Sequence, residues 1–152
     1  VPLGMQTYCP SHMTYESSES TEHRMYRLYM SVEDLARIGV LVMQKGKWQG
    51  KQIVPEKWIE QMIQPISSTR ELKPNLHYTH YGFMWWLDEK GHIWADGAGG
   101  NFIHIDPKKK LVTAAQNRTG VSIPGYLWGR LVQRSADTHH PLKGHETLEA
   151  CR

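Results

Sequence analysis

Three glycines fall within four positions in Ala95-Asp96-Gly97-Ala98-Gly99-Gly100-Asn101, between two apolar runs that read as strands, Ile93-Trp94 and Phe102-Ile103. Glycine this dense at a strand junction marks backbone that turns tightly or lies close to something, because no Cβ stands in the way. Two readings follow from the residues alone. One is a bent strand that exposes N–H groups to a ligand; the other is a glycine-softened hairpin or bulge.

The sequence around the stretch supplies the sheet. Tyr81 to Leu87, a turn at Asp88-Glu89-Lys90-Gly91, His92 to Asp96, then Asn101 to Ile105, a turn at Asp106-Pro107-Lys108-Lys109, and Lys110 to Asn117 alternate strand and turn signals. They predict a four-stranded antiparallel meander. Trp85 and Trp86 point to opposite faces of their strand, which makes core packing of both the simpler expectation and a pocket wall for one the alternative.

Upstream, Ser31-Val32-Glu33-Asp34 opens a helix with a capping-box pattern, and Leu35, Ile38 and Val42, broadened by Ala36, Leu41 and Met43, give it a wide apolar face. Gly46 ends it. Trp48 to Val54 is a short extended passage, and Pro55 starts a second helix to Ile63 whose buried side is Trp58, Ile59, Met62 and Ile63. Residues 1–30 show little period and predict an irregular arm, with Glu16 to Glu22 as an exposed loop. From Pro65 to His80 the composition is that of a surface excursion. Pro124 begins a last helix carrying Leu127, Trp128, Leu131 and Val132, and residues 136–152 predict an unstructured tail.

At 152 residues the chain is of single-domain size, and its net charge of +3 is too small to mark a nucleic-acid partner. The one basic run, Lys108-Lys109-Lys110, falls on a turn. No apolar stretch approaches a bilayer span, Val1-Pro2-Leu3-Gly4 is no signal peptide, and the compartment is left open. Cys9 and Cys151 lack zinc or disulfide-framework spacing, so two unpaired thiols are expected. His77 and His80, like His139, His140 and His145, read as exposed loop histidines rather than metal ligands.

Five ordered segments carry a resemblance. Pro2-Leu3-Gly4-Met5, Ser31 to Gly39 (SVEDLARIG), Gly50 to Trp58 (GKQIVPEKW), Tyr81 to Trp86 (YGFMWW) and Gly97 to Pro107 (GAGGNFIHIDP) recur in this order in the β-lactamase-related serine hydrolases. The pattern resembles the esterase-like and nylon-oligomer-hydrolase-like branches, near class C β-lactamases and penicillin-binding D-alanyl-D-alanine peptidases. It covers residues 1 to about 135. The resemblance implies an α+β fold, helices packed on an antiparallel sheet, and residues 31–135 as the C-terminal portion of such a domain.

It also implies hydrolysis of a small-molecule ester or amide through an acyl-serine intermediate, with no metal or organic cofactor. Members attack with the serine of Ser-x-x-Lys, assisted by Tyr-x-Asn or a similar motif. No serine of this chain has lysine three positions on. Tyr15-Glu16-Ser17 and Tyr29-Met30-Ser31 come after the point where the family has passed its tyrosine motif. The third motif, Lys-Thr-Gly or His-Thr-Gly, aligns on Ala95-Asp96-Gly97. Ala98 would then give a backbone N–H to the oxyanion hole, a contribution of about 3 kcal/mol to the transition state. Gly97 would admit the carbonyl, with Gly99, Gly100, Asn101 and Trp86 at the substrate; Ala98-Gly99-Gly100 could occupy the motif instead. The motif's cation is missing, which points away from penicillin-like acids and toward a neutral ester or amide. The chain is therefore expected to hold the oxyanion strand without the nucleophile, and to be inactive alone. The other class of reading is a degenerate, non-catalytic binding or scaffold module. In either case the family's pairing would leave strand 111–117 with an open edge and a tendency to self-associate.

Overall fold

A computed structural model of the chain describes residues 2–69, 77–97 and 100–116. The predicted helix from Pro124, the tail, Ala98 and Gly99, and the last residue of strand 111–117 lie outside the described residues. The class is α+β, as expected: two α-helices and antiparallel sheets among the described residues.

The first helix, α1, runs Val32–Met43. Ser31 caps it by accepting from the Asp34 N–H at 3.2 Å. Asp34 does not reach back to complete a capping box. Its fully buried carboxylate instead accepts from the backbone N–H groups of Gln6 (3.1 Å), Thr7 (2.8 Å) and Tyr8 (3.1 Å), from the Thr7 hydroxyl (2.6 Å) and from Arg37 (2.5 Å). Burial opposes its ionisation, but these donors outweigh it and hold the group below the usual carboxylate range. One side chain thus ties the start of the chain to α1.

α1 ends at Gly46 (φ +83°), whose N–H returns to the Leu41 carbonyl at 2.8 Å. A Cβ there would lie 2.0 Å from the Val54 carbonyl oxygen, so only glycine fits. Strands β1 (Lys47–Trp48) and β2 (Lys51–Gln52) form a tight hairpin through Gln49 (φ 48°) and Gly50 (φ 78°). The second helix, α2, runs Glu56–Met62. Of its expected buried side, Ile59 is buried and Met62 and Ile63 half-buried. Trp58 is 48% exposed because it stacks on Phe83, centroids 6.0 Å apart, instead of on the sheet.

The main sheet has six strands: β3 (Ser67–Ser68), β4 (His80–Tyr81), β5 (Trp86–Leu87), β6 (Ile93–Gly97), β7 (Asn101–Asp106) and β8 (Leu111–Ala115), each hydrogen-bonded to the next in sequence. The expected meander is present with two corrections. The predicted strand 81–87 is two strands around a turn, in which Met84 takes φ +66° and the Gly82 N–H bonds the Trp85 carbonyl at 2.7 Å. The excursion after Pro65 contributes β3 and buries Thr69, Tyr78 and Thr79. Both were hidden by two-residue strands, which are too short to show an alternation.

The helices cover one face of this sheet, where Val42, Ile59, Trp85, Ile93, Ile103 and Ile105 form the core. α1 lies very close. An added Cβ at Gly39 would meet Val112 Cγ1 at 2.5 Å and Ile103 Cγ2 at 2.7 Å. The opposite face is aromatic: Tyr78, Trp94 and Phe102, flanked by Trp86 and Ala115. No helix among the described residues is long and apolar enough to cross a membrane.

Residues 1–30 are not irregular throughout. A 3₁₀ turn at Pro10–His12 leads to a hairpin of strands β9 (Thr14–Ser18) and β10 (Thr21–Arg27), a two-stranded sheet separate from the main one. Tyr15 faces Tyr26 across the hairpin, and Arg27 grips both carboxylate oxygens of Glu16 at 2.6 and 3.1 Å. Tyr15, Glu16, Tyr26 and Arg27 are all exposed, which removes the apolar alternation that would have announced the strands. Cys9 is buried and disulfide-bonded, correcting the expectation of two unpaired thiols. Cys151 lies outside the described residues.

Candidate functional site

The glycine stretch closes the β6–β7 hairpin. Gly97 pairs with Asn101, and Gly100 (φ +81°) donates its N–H to the Gly97 carbonyl at 3.3 Å. That positive φ is what glycine is needed for here.

β6 outruns its other neighbour. β5 pairs only with Ile93 and Trp94, because the chain before Trp86 swings away in the turn at Met84. Beside the end of β6 that extends past β5 lies a cavity of about 250 Å³. Tyr81, Trp86 and Phe102 give it aromatic walls, Leu35 of α1 reaches it, and Asp96, Gly97 and Asn101 line it from the hairpin. A Cβ placed on Gly97 would find only the Asn101 carbonyl oxygen, at 3.7 Å, so the glycine leaves open space rather than relieving a clash.

Three of the expected site residues, Gly97, Asn101 and Trp86, therefore converge on one cavity. Trp86 is its wall, while Trp85 is in the core. Gly100 does not line the cavity; it is buried and its N–H serves the turn. Ala98 and Gly99 lie outside the described residues.

The polar group that sequence reasoning passed over is the side chain of Asp96. It is half-buried, and the Tyr78 hydroxyl donates to its Oδ2 at 2.6 Å. Burial and the neighbouring carboxylate push the Tyr78 phenol well above the ordinary tyrosine range, so Tyr78 stays protonated as a fixed donor. Its ring stacks on Trp86 at 5.2 Å, and Tyr81 lies 4.3 Å from Trp86 on another side. Tyr81 in turn bonds Met84 Sδ at 3.7 Å, fixing the rim. Tyr78 sits in a polar stretch with no strand period, which is why nothing in the sequence flagged it.

A second polar cluster surrounds Asp88. Its buried carboxylate accepts from the backbone N–H groups of Lys90 and His92, both at 2.9 Å, and from Trp94 Nε1 at 3.1 Å. His92 Nδ1 at 3.2 Å and His77 Nε2 at 3.3 Å complete the shell. Burial opposes ionisation, but the bond from His77 and the remaining donors keep Asp88 far below the usual carboxylate range. His77, expected to be exposed, is half-buried by this contact. His104 stacks on Trp94 at 4.0 Å with neither ring nitrogen hydrogen-bonded among the described residues. Burial, reinforced by His92, pushes it down to about 4. No group of three or more His, Cys, Asp or Glu among the described residues has metal-binding geometry. The cluster works as a turn clamp.

No protein-family model matches the chain. An uncharacterized protein of Alkalihalophilus pseudofirmus is 25% identical over 142 residues, which cover 85% of this chain and 41% of that protein. A solved structure described as "Putative 6-aminohexanoate-dimer hydrolase from Bacillus anthracis" matches with a TM-score of 0.57 and 25% identity, over 73% of this chain and 29% of that one. The chain thus spans less than half the length of either. The structural similarity supports a relationship to serine hydrolases of β-lactamase-like fold.

Proposed function

We propose that this chain is the oxyanion-strand portion of a serine hydrolase that cleaves a small ester or amide through an acyl-serine intermediate. The observation that carries the reading is the cavity at the end of β6 that extends past β5, where Gly97, Asn101 and Trp86 come together. An edge of backbone beside an aromatic pocket is suited to seat a carbonyl next to N–H donors, with Ala98 as the proposed donor. The nucleophile is proposed to come from sequence outside residues 1–152, since no serine here has the Ser-x-x-Lys spacing. The partial coverage of both relatives supports this division. Needing neither metal nor organic cofactor, the chemistry would be carried by side chains and backbone alone.

The test is Gly97→Val in an active protein that carries this chain. A Cβ at this position meets nothing closer than 3.7 Å, so the fold should persist, while a branched side chain fills the space beside the strand. We expect turnover to fall by about 100-fold or more with an unchanged melting temperature. Unchanged turnover would refute the assignment of this strand. A non-catalytic scaffold, the other reading, would show no serine-dependent turnover in any such protein.

A further inference from the structure

We infer that Tyr78 is a positioning residue for the substrate-facing strand: its hydroxyl, acting through the Asp96 carboxylate, pins the end of β6 that extends past β5. The inference rests on the reading of this strand as the one that meets the substrate carbonyl, and adds a residue on which the strand's geometry depends.

β6 is held on one side along its whole length, where Ile93 to Gly97 pair with β7. On the other side β5 reaches only Ile93 and Trp94, so among the described residues no strand pairs with Ala95, Asp96 and Gly97 there. The chain then enters the stretch with three glycines, whose backbone is the least restricted of any residue. A strand end paired on one side and followed by glycine opens locally unless something else holds it, whereas donors that meet a developing oxyanion must be preorganised. By the two-residue period Asp96 shares the face of Trp94, and the Tyr78 hydroxyl donates to its Oδ2 at 2.6 Å, a short bond to a charged acceptor. Gly97 is the next residue.

Tyr78 is itself well anchored. It is 5% exposed, its carbonyl accepts from the buried Thr69 hydroxyl at 2.5 Å, and the N–H of the following Thr79 donates to the Leu87 carbonyl of β5 at 2.8 Å. The ring stacks on Trp86 at 5.2 Å and tilts against Trp94 at 5.9 Å. With the backbone tied to β5 and the ring held by packing, the hydroxyl has a fixed place. It therefore joins the firmly paired part of the sheet to the part of β6 that β5 leaves. A buried tyrosine hydroxyl needs some acceptor; this one takes a side chain 18 positions away, at the strand end.

The test is a double-mutant cycle of Tyr78→Phe and Asp96→Ala in the full chain, read by amide hydrogen exchange. Tyr78→Phe keeps the ring and its stacking and removes the donor. It should speed exchange at Ala95, Asp96, Gly97 and Asn101 by about ten-fold or more, with Ile93 and Ile105 changing far less. In the Asp96→Ala background the same substitution should change these amides by less than about two-fold, because the shared bond is already gone. Unchanged exchange at the strand end, exchange raised evenly along β6 and β7, or additive effects in the cycle would each overturn the inference. An active protein that carries this chain gives the readout that a merely structural tyrosine would not move. There Tyr78→Phe should lower kcat about ten-fold, leave KM within about two-fold, and lose its effect once Asp96 is replaced by alanine. Unchanged kcat, or a change in KM alone, overturns the positioning role, while the Gly97→Val result still decides the assignment of the strand. If no such protein turns over substrate, the hydrolase reading fails, and the exchange cycle still decides whether Tyr78 pins the strand.

Discussion

At the scale of single residues, His104 carries the clearest energetic consequence. The residue is 5% exposed, its ring tilted against Trp94 and edge-on to His92, with both nitrogens unsatisfied among the described residues. The unfolded chain takes up this proton near pH 6.5, the folded chain only near pH 4. Between those values the unfolded state binds more protons, so stability is full above about 6.5 and falls as pH drops toward 4, by about 3 kcal/mol at most. Asp34, Asp88 and Asp106 have lowered pKa values, so their stabilisation is lost only at still lower pH, as acid passes below the ordinary carboxylate value of 3.8. His104→Phe keeps the stacking and removes the titration. Urea unfolding at pH 7.5 and pH 5 should show the wild type losing stability and the variant holding nearly level; equal losses in both would contradict the assignment. Residues of this kind were hard to read in advance. The partners of Asp34 at the start of the chain, Gln6, Thr7 and Tyr8, lie 26 to 28 positions away, and Asp96 and Tyr78 are 18 apart, so the pattern along the chain showed a helix cap and a motif position but not these contacts. Gly97, Asn101 and Trp86 were legible because a resemblance places residues that local periodicity cannot.

Among the elements, α1 and the strands flanking the glycine stretch were readable because each has a period long enough to count. The two-residue strands β3, β4 and β5 and the solvent-exposed β9–β10 hairpin were not, since neither length nor one-sided burial marks them. The last strand of the main sheet gives a prediction. β8 pairs with β7 on one side, and among the described residues no strand pairs with its other side. Its five residues, Leu111 to Ala115, are all half-buried and mostly apolar, an edge that templates association. At tens of micromolar, sedimentation velocity should show the chain self-associating. Thr113→Lys should shift it toward monomer, because Val112 rather than Thr113 meets α1 at Gly39, and a charge at 113 leaves that packing alone. A monomeric wild type with the amides of residues 111–115 well protected from exchange would mean that the edge is already covered.

The whole molecule combines an α+β fold with a cavity at the end of β6, and it covers 29% of its structural relative. On the proposed function, the substrate-facing strand belongs to this chain and the attacking serine lies elsewhere. Reaction with a fluorophosphonate probe, followed by peptide mass mapping, separates those two parts most directly. The account predicts that residues 1–152 alone remain unlabelled at every serine, while an active protein containing them is labelled stoichiometrically at one serine of a Ser-x-x-Lys motif outside this stretch. Stoichiometric labelling of a serine within residues 1–152, or a longer protein that takes up no probe, would contradict it.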